Sequence, residues 1–251
     1  MKVLVTGSAG VIGRPVCQEL LRQGHDVRGL DRRPSPDLVD AAVADIADAE
    51  AVRAAVAGMD AVVHLAAQPV DAPFDQLVGP NVVGLYNVFD ACREAAVKRV
   101  VLASSIMTVI RRPVRTHPAT VDEAWPGDHY ALTKLWAEQM GAMYARRFGM
   151  SILAVRIGWV VRNPDEARHM LKLGAFDIYL SRADAGRFFA AAVAKNHVDF
   201  AVVYAISRGG ETVFDMEPSR KLLGYEPREK WPEGLPFDLP RDPQGGPDPL
   251  R

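Results

Sequence analysis

Tyr130 and Lys134 stand four positions apart in the run YALTK. On a helix, residues i and i+4 lie on the same face, so the phenol and the ammonium group would point into one space. A tyrosine normally titrates near a pH of about 10, and a neighbouring cation lowers that pKa because it stabilises the phenolate. Such a phenol can act as a general base or acid at neutral pH. In isolation, the pair is also typical of a solvated helix surface.

A second chemical signal is the run GSAGVIG, in which Gly7, Gly10 and Gly13 recur every three residues. The run lies between an apolar strand pattern and a helical pattern. Glycines at such a junction let the backbone approach a pyrophosphate, and the amides that begin the helix favour negative charge. Ordinary tight turns also need glycine, but this context favours nucleotide binding. Val11 and Ile12, inside the loop, are predicted to contact the cofactor.

Acidic residues end two of the predicted strands. Asp31 follows the last loop glycine by 18 residues, where a carboxylate can bind an adenosine ribose and repel a 2′-phosphate. This favours NAD over NADP, although Arg32 and Arg33 offer a 2′-phosphate a partner and a plain turn role for Asp31 is the alternative. Asp45 and Ile46 are predicted to reach the adenine, or simply to end the third strand.

These residues need a scaffold, and the sequence alternates strand-like runs with helical patterns. Strands are predicted over Lys2–Thr6, Asp26–Asp31, Val39–Asp45, Ala61–Ala67, Arg99–Ser105 and Ser151–Gly158. Helices are predicted over Val11–Gln23, Asp48–Ala57, Asn81–Val97 and His129–Phe148. The alternation predicts an α/β fold with a doubly wound parallel sheet, whose apolar strands are buried on both faces.

The pattern loosens after Gly158, where helices are predicted over Arg182–Lys195 and Glu217–Leu223 and a strand over Ala201–Ser207. We therefore expect a nucleotide-binding domain over residues 1–160 and a small substrate-binding cap, interleaved with the sheet, over 161–230. Residues 231–251 are rich in proline and glycine. Such a composition predicts a tail that follows the surface or is disordered.

Composition excludes several classes of function. The 251 residues carry 30 basic and 31 acidic side chains, a net charge of −1, so no overall field attracts nucleic acid or a membrane surface. We find no apolar run of 18 residues, the length a membrane span needs. The N-terminal apolar run is too short for a signal-peptide core, which predicts a cytoplasmic protein. The expected partner is a small-molecule substrate.

Metal and disulfide chemistry are not indicated. Cys17 and Cys92 are the two cysteines, and both lie in helical patterns among apolar residues. Two small buried side chains are a better interpretation than a disulfide or a metal site. The six histidines lack the spacing of zinc ligands, so no metal is predicted.

Several motifs together resemble the extended short-chain dehydrogenase/reductase superfamily, which includes the NAD-dependent epimerase/dehydratase family. They are GSAGVIG, Asp31, HLAA at residues 64–67, Asn81, VLASS and YALTK, joined by LLGYEP at 222–227. The resemblance implies a Rossmann fold, NAD as cofactor, and hydride transfer at the nicotinamide. It also implies a homodimer formed through the helices at Asn81–Val97 and His129–Phe148, whose apolar positions are equally compatible with core packing.

The resemblance further implies a Ser-Tyr-Lys triad. Ser105 ends the fifth strand, at the sheet edge where open α/β sheets bind ligands, and Ser104 is the alternative serine. Tyr130 would take a proton from a substrate hydroxyl, Ser105 would hydrogen-bond the substrate oxygen, and Lys134 would hold the nicotinamide ribose. The remaining cofactor residues that it implies are Leu65, Ala66, Ala67, Ile157 and the bracing residue Asn81.

Within that superfamily, PFDQLVGPNVVGLYNVFDACR and LAVRIG resemble uronate (hexuronate) dehydrogenases, which oxidise a sugar acid at C1 to a lactone. This implies that Arg168 grips a substrate carboxylate. Ile106, Met107 and Trp159 occupy substrate positions where that group has polar residues, and Pro69 replaces a serine. A site without hydrogen-bond partners rejects a substrate that needs them. The predicted pocket is therefore more apolar than a uronate pocket.

Two other functions remain open from the sequence. One is epimerase or dehydratase chemistry on a nucleotide sugar. About 90 residues follow Gly158, which favours a compact substrate over a nucleotide sugar. The other is a cofactor-binding sensor without turnover, against which the retained tyrosine and lysine argue.

Overall fold

The computed structural model describes residues 1–113 and 115–239. Its strands are β1 (Lys2–Thr6), β2 (Asp26–Asp31), β3 (Asp40–Val43), β4 (Ala61–His64), β5 (Arg99–Ser105), β6 (Ser151–Ile157) and β7 (Phe200–Ala205). They form one parallel sheet in the order β3-β2-β1-β4-β5-β6-β7. The strand order reverses between β1 and β4, where doubly wound sheets open a crevice for ligands. The predicted fold class is thereby confirmed.

The helices cover both faces of this sheet. They are α1 (Gly13–Arg22), α2 (Ala49–Val56), α3 (Phe74–Leu77), α4 (Leu85–Glu94), α5 (His129–Phe148), α6 (Pro164–Leu173), α7 (Arg182–Ala194) and α8 (Glu217–Leu223). Side chains alternate across a strand, so Val3 and Val5 join a core with α1 and α7. Leu4 instead joins a second core with α2, α4 and α5. Both faces of the sheet are therefore covered by a buried apolar core.

Both cysteines are buried and free, as predicted. Cys17 is a residue of α1 and packs in the core on that side of the sheet. Cys92 is a residue of α4 and packs in the core on the opposite side. Burial in apolar surroundings raises the pKa of the Cys17 thiol to about 12, so it stays protonated and unreactive at neutral pH.

Two local predictions need correction. The strands were expected to be buried on both faces, but all four residues of β3 are exposed, because β3 is an edge strand with a partner on one side only. The single helix predicted over Asn81–Val97 is divided. A π-helical segment, Val78–Gly84, precedes α4. Such a segment reorients the side chains that follow it.

The C-terminal part contributes β7 to the main sheet and a small core of its own. Trp231 stacks on Phe176, with ring centroids 5.8 Å apart, and meets the edge of Tyr179 at 5.2 Å. These contacts attach the beginning of the predicted tail to the domain, whereas residues 240–251 lie outside the described residues. No helix among residues 1–113 and 115–239 is long and apolar enough to cross a membrane.

Candidate active site

A cleft of about 990 Å³ opens along the carboxyl ends of the strands. The glycine loop and Asp31 line one end, and Ser105 and Tyr130 line the other. Predicted site residues that line it are Gly7, Gly10, Val11, Ile12, Gly13, Asp31, Arg32, Asp45, Ile46, Leu65, Ala66, Ala67, Ser105, Ile106, Met107, Tyr130, Ile157 and Trp159. Residues scattered over most of the chain thus meet in one elongated space.

The glycine loop is held in a tight conformation. Gly7 has a φ of +74°, and a Cβ on it would lie 2.8 Å from the backbone nitrogen of Ala66. A Cβ on Gly13 would overlap the carbonyl oxygen of Gly7. Only glycine fits both positions without moving the backbone. Because Gly10 also presents bare backbone to the cleft, just before α1, the loop fits the pyrophosphate of a dinucleotide.

Asp31 combines the two roles that the sequence left open. Its carboxylate accepts the backbone N–H groups of Ala9, at 3.1 Å, and Arg33, at 2.9 Å, and so shapes the turn. Each carboxylate oxygen can accept a further hydrogen bond, and Asp31 lines the cleft, which suits a ribose hydroxyl. Arg32 lies 4.0 Å from Asp45, so a carboxylate already neighbours this guanidinium.

Helix α5 positions the tyrosine and the lysine. Asp128 caps its first turn by accepting the N–H of Ala131 at 2.7 Å. The Lys134 ammonium nitrogen lies 5.7 Å from the centroid of the Tyr130 ring and donates to the Ala103 carbonyl at 3.0 Å. The two side chains share one face, as the spacing predicts. Lys134 is buried behind the phenol rather than lining the cleft.

The electrostatics of this pair differ from the expectation. Burial raises the pKa of Tyr130 to about 12; the side chain of Ser105 and the charge of Arg162 lower it, and Asp128 raises it further. Burial also lowers the pKa of Lys134 to about 8, against the opposing charge of Glu138. The sequence predicts a lowered tyrosine pKa. The direction is reversed because removal of the phenol from water outweighs the hydrogen bond with Ser105 and the charge of Arg162.

The two serines of VLASS point to opposite sides of β5, as adjacent strand residues must. Ser105 lines the cleft, and its hydroxyl accepts the N–H of Met107 at 3.2 Å. Ser104 is fully buried beneath the cleft and donates to the Glu138 carboxylate at 2.5 Å. The structure therefore brings Ser105, and not the alternative Ser104, to Tyr130.

Asn81 lies under the cleft, within the π-helical segment. Its amide donates to the Thr133 hydroxyl at 3.0 Å and to the Gln68 carbonyl at 3.2 Å, while its oxygen accepts the Gln68 N–H at 2.8 Å. It links α5 to the loop after β4, a bracing position consistent with the role the resemblance implies.

Next to Ser105, the cleft is lined by apolar side chains. Ile106, Met107 and Trp159 line it, and Ile178 joins them. The structure does not bring Arg168 to the cleft: this side chain is exposed on α6 and pairs with Asp165. Arg162 lines the cleft instead and pairs with Glu166. Its position, five residues past β6, is the signal that could have found it, because ligands gather at strand ends.

Other lining residues were not anticipated. They are Ala44, Gln68, Val70, Asp71, Pro80, Asp128, Gly158, Val160, Arg162 and Ile178, whereas Arg33 and Pro69, which were named from the sequence, also line the cleft. Several directly follow β4 and β6, so strand ends in the sequence indicate them. Ile178 is brought in from a distant segment by its carbonyl, which accepts the Trp159 N–H at 2.7 Å.

Comparison with known proteins identifies relatives over nearly the whole chain. Residues 3–173 match the family described as NAD dependent epimerase/dehydratase family. The chain is 31% identical to L-arabinose 1-dehydrogenase (NAD(P)(+)) of Haloferax volcanii over 247 residues, 91% of this chain and 96% of the relative. It is 34% identical to a uronate dehydrogenase of Agrobacterium fabrum over 187 residues, 73% of this chain and 71% of the relative.

A solved structure of a relative matches the fold of this chain as well. A mutant uronate dehydrogenase from Agrobacterium tumefaciens, complexed with NAD, is 30% identical and superimposes with a TM-score of 0.78. The match covers 91% of this chain and 84% of that one.

Proposed function

Because the chain belongs to the NAD dependent epimerase/dehydratase family and is an NAD-dependent oxidoreductase, we propose that it oxidises a small anionic hydroxy compound, such as a sugar acid. One observation carries this proposal. The Tyr130 phenol and the Arg162 guanidinium line the same cleft, and the charge of Arg162 acts on the phenol. A proton acceptor and a guanidinium group, whose present counter-ion is Glu166, therefore share one cleft.

The cleft would hold the cofactor along its length. The glycine loop would contact the pyrophosphate and Asp31 the adenosine ribose, with Ile46, Leu65, Ala66, Ala67 and Ile157 as apolar contacts. Lys134, held by the Ala103 carbonyl, would reach the nicotinamide ribose. When bound at these residues, NAD⁺ would supply the acceptor for the hydride that leaves the carbinol carbon of the substrate.

Residues of the protein itself would remove the proton of the substrate hydroxyl. The Tyr130 phenolate takes the proton of the substrate hydroxyl as the carbonyl forms, and the Ser105 hydroxyl donates a hydrogen bond to that substrate oxygen. Because burial raises the pKa of Tyr130, the phenolate depends on the neighbouring positive charges of Lys134 and Arg162. Closing the site to water strengthens those interactions.

The apolar walls restrict the substrate. Ile106, Met107 and Trp159 offer few hydrogen bonds to sugar hydroxyls, and a hydroxyl buried without a partner costs about 1–3 kcal/mol. Steady-state reduction of NAD with uronates, neutral aldoses and hydrophobic alcohols tests the proposal. A higher kcat/KM for the uronates supports it, and a preference for hydrophobic alcohols contradicts it.

Arg162→Gln should raise KM for a uronate about tenfold to a hundredfold, since a charge-assisted hydrogen bond contributes about 1.5–3 kcal/mol. Turnover of a neutral aldose should change less than about threefold. Arg168→Gln is the matched control, because that arginine is exposed on α6 and does not line the cleft. If Arg168→Gln impairs uronate oxidation while Arg162→Gln does not, the carboxylate partner is misassigned.

We also propose that the protein is a homodimer formed through α4 and α5. Large apolar side chains are exposed on these helices, namely Tyr86, Leu132, Trp136, Met143 and Phe148, and Val83 is exposed in the π-helical segment before α4. An apolar face of this kind marks an interaction surface. Trp136→Glu should shift the sedimenting species from dimer to monomer. Leu173→Glu, at an exposed position on α6, should leave it a dimer, and a monomeric wild-type protein would rule out the proposal.

A further inference from the structure

A groove of about 830 Å³ lies between α1 and α7, beside the glycine loop. It shares Gly10, Val11, Arg33 and Arg162 with the cofactor cleft, and its other lining residues lie mainly on α1 and α7. Six arginines line it: Arg14, Arg22, Arg33, Arg162, Arg182 and Arg187. Among the described residues that line it, Glu19 is the one with an acidic side chain. We call this feature the arginine groove.

The carboxylates around the arginine groove neutralise four of the six guanidinium groups. The pairs are Arg22–Glu19, Arg33–Asp31, Arg162–Glu166 and Arg187–Asp184. Within residues 1–113 and 115–239, no carboxylate lies within 4.0 Å of Arg14 or Arg182. Two positive charges therefore remain in excess. Since the whole chain has a net charge of −1, this field is local to the groove.

Arg182 also has hydrogen-bonding capacity to spare. It donates to the carbonyl groups of Val161, at 3.4 Å, and Arg162, at 3.3 Å. Its Nε and that of Arg187 are buried and have no partner among the described residues. These two Nε atoms face the protein interior, so a ligand in the groove would meet the terminal N–H groups of Arg14 and Arg182 instead. Guanidinium N–H groups suit the geometry of a multivalent oxyanion such as phosphate.

The two helices hold these arginines at a set separation. A Cβ on Gly186 would lie 2.7 Å from the Pro15 carbonyl oxygen, so α7 and α1 touch backbone to backbone. Arg22 follows Gly13 by nine residues, which is about 13 Å along α1. The groove therefore extends well beyond the pyrophosphate of a dinucleotide on the glycine loop.

We propose that the arginine groove binds the phosphate group of a small molecule other than the dinucleotide, while NAD occupies the cleft. The phosphate belongs either to a separate phosphorylated ligand or to a phosphorylated substrate whose remainder reaches the cleft through Arg162, which lines both spaces. Both sources present the same oxyanion to the arginines.

Calorimetric titration of inorganic pyrophosphate into the NAD-saturated protein, with ionic strength held constant by chloride, tests the proposal. We expect saturable binding at one site. Arg14→Gln and Arg182→Gln should each weaken it about tenfold, and Arg168→Gln, outside the groove, should not change it. Holding the ionic strength constant with chloride keeps the screening of exposed charges the same throughout the titration. The heat measured then reports binding of pyrophosphate. Calorimetry measures binding and not turnover. A failure of the groove proposal can therefore be distinguished from a failure of the proposed dehydrogenase activity.

Kinetics then separate the two sources. Pyrophosphate that competes with a phosphorylated aldose, but not with the unphosphorylated aldose, assigns the groove to the substrate phosphate. Pyrophosphate that binds and competes with neither assigns it to a separate ligand. Absence of saturable binding, or equal weakening by Arg168→Gln, overturns the proposal. Displacement of the bound pyrophosphate by NADP also overturns it, because the site would then be part of the cofactor cleft.

Discussion

Tyr130→Phe should lower kcat about a thousandfold, within the range expected for loss of a general base, with the affinity for NAD nearly unchanged. The substitution removes the phenolic oxygen and keeps the ring that packs beside Lys134. The substrate hydroxyl then has no acceptor for its proton when the hydride leaves. Single-turnover formation of NADH measures the chemical step, and fluorescence titration measures NAD binding.

Tyr86→Phe is the matched control for this experiment. Tyr86 is exposed on α4 and does not line the cleft, so its variant should turn over at the wild-type rate. Undiminished turnover in Tyr130→Phe would disprove the triad. Equal loss in kcat and in NAD affinity would instead show that the phenol mainly supports the shape of the site.

Glu138→Ala should lower the free energy of unfolding by about 3–5 kcal/mol, the usual cost of breaking a buried ion pair. Both oxygens of Glu138 accept hydrogen bonds from Arg156, each at 2.9 Å, and both side chains are 3% exposed. Removal of the carboxylate leaves a buried guanidinium without a counter-charge. Urea denaturation followed by circular dichroism measures the loss.

Two further variants serve as comparisons for the stability loss in Glu138→Ala. Glu94→Ala removes a surface carboxylate near Arg93 and should cost less than about 1 kcal/mol. Glu138→Gln retains hydrogen-bonding atoms and should cost less than Glu138→Ala. A loss below about 1 kcal/mol in Glu138→Ala would mean that Arg156 is sufficiently held by its other acceptors, the Glu123 carbonyl and the Tyr204 hydroxyl.

This buried pair also lies next to the candidate active site. Glu138 follows Lys134 by one helical turn, accepts a hydrogen bond from Ser104, and raises the pKa of Lys134 against burial. The network therefore holds the end of β5 and the middle of α5 in one position. The sequence contains the residues of this network but no pattern that joins them, because Glu138 and Arg156 belong to different elements.

Several features could be predicted because their causes are local in the chain. The glycines of GSAGVIG, the i,i+4 spacing of Tyr130 and Lys134, and the alternation of apolar runs with helices each depend on a few consecutive residues. Periods of two and 3.6 residues determine which side chains share a face. The fold class, the cofactor and the strand-end position of Ser105 follow from these short-range patterns.

The remaining features depend on segments that are distant in the chain. Whether Arg162 or Arg168 reaches the cleft is set by how the segment after β6 packs against Ile178. The exposure of β3 follows from its place at the sheet edge, and the pKa of Tyr130 follows from its burial.

The arginine groove likewise forms only when α1 and α7 pack together. The sequence by itself indicated the family, the cofactor and the candidate reacting pair, because Tyr130 and Lys134 lie at a fixed local spacing. Only the tertiary structure decided which charges and walls surround them, because desolvation and proximity arise when remote segments exclude water together.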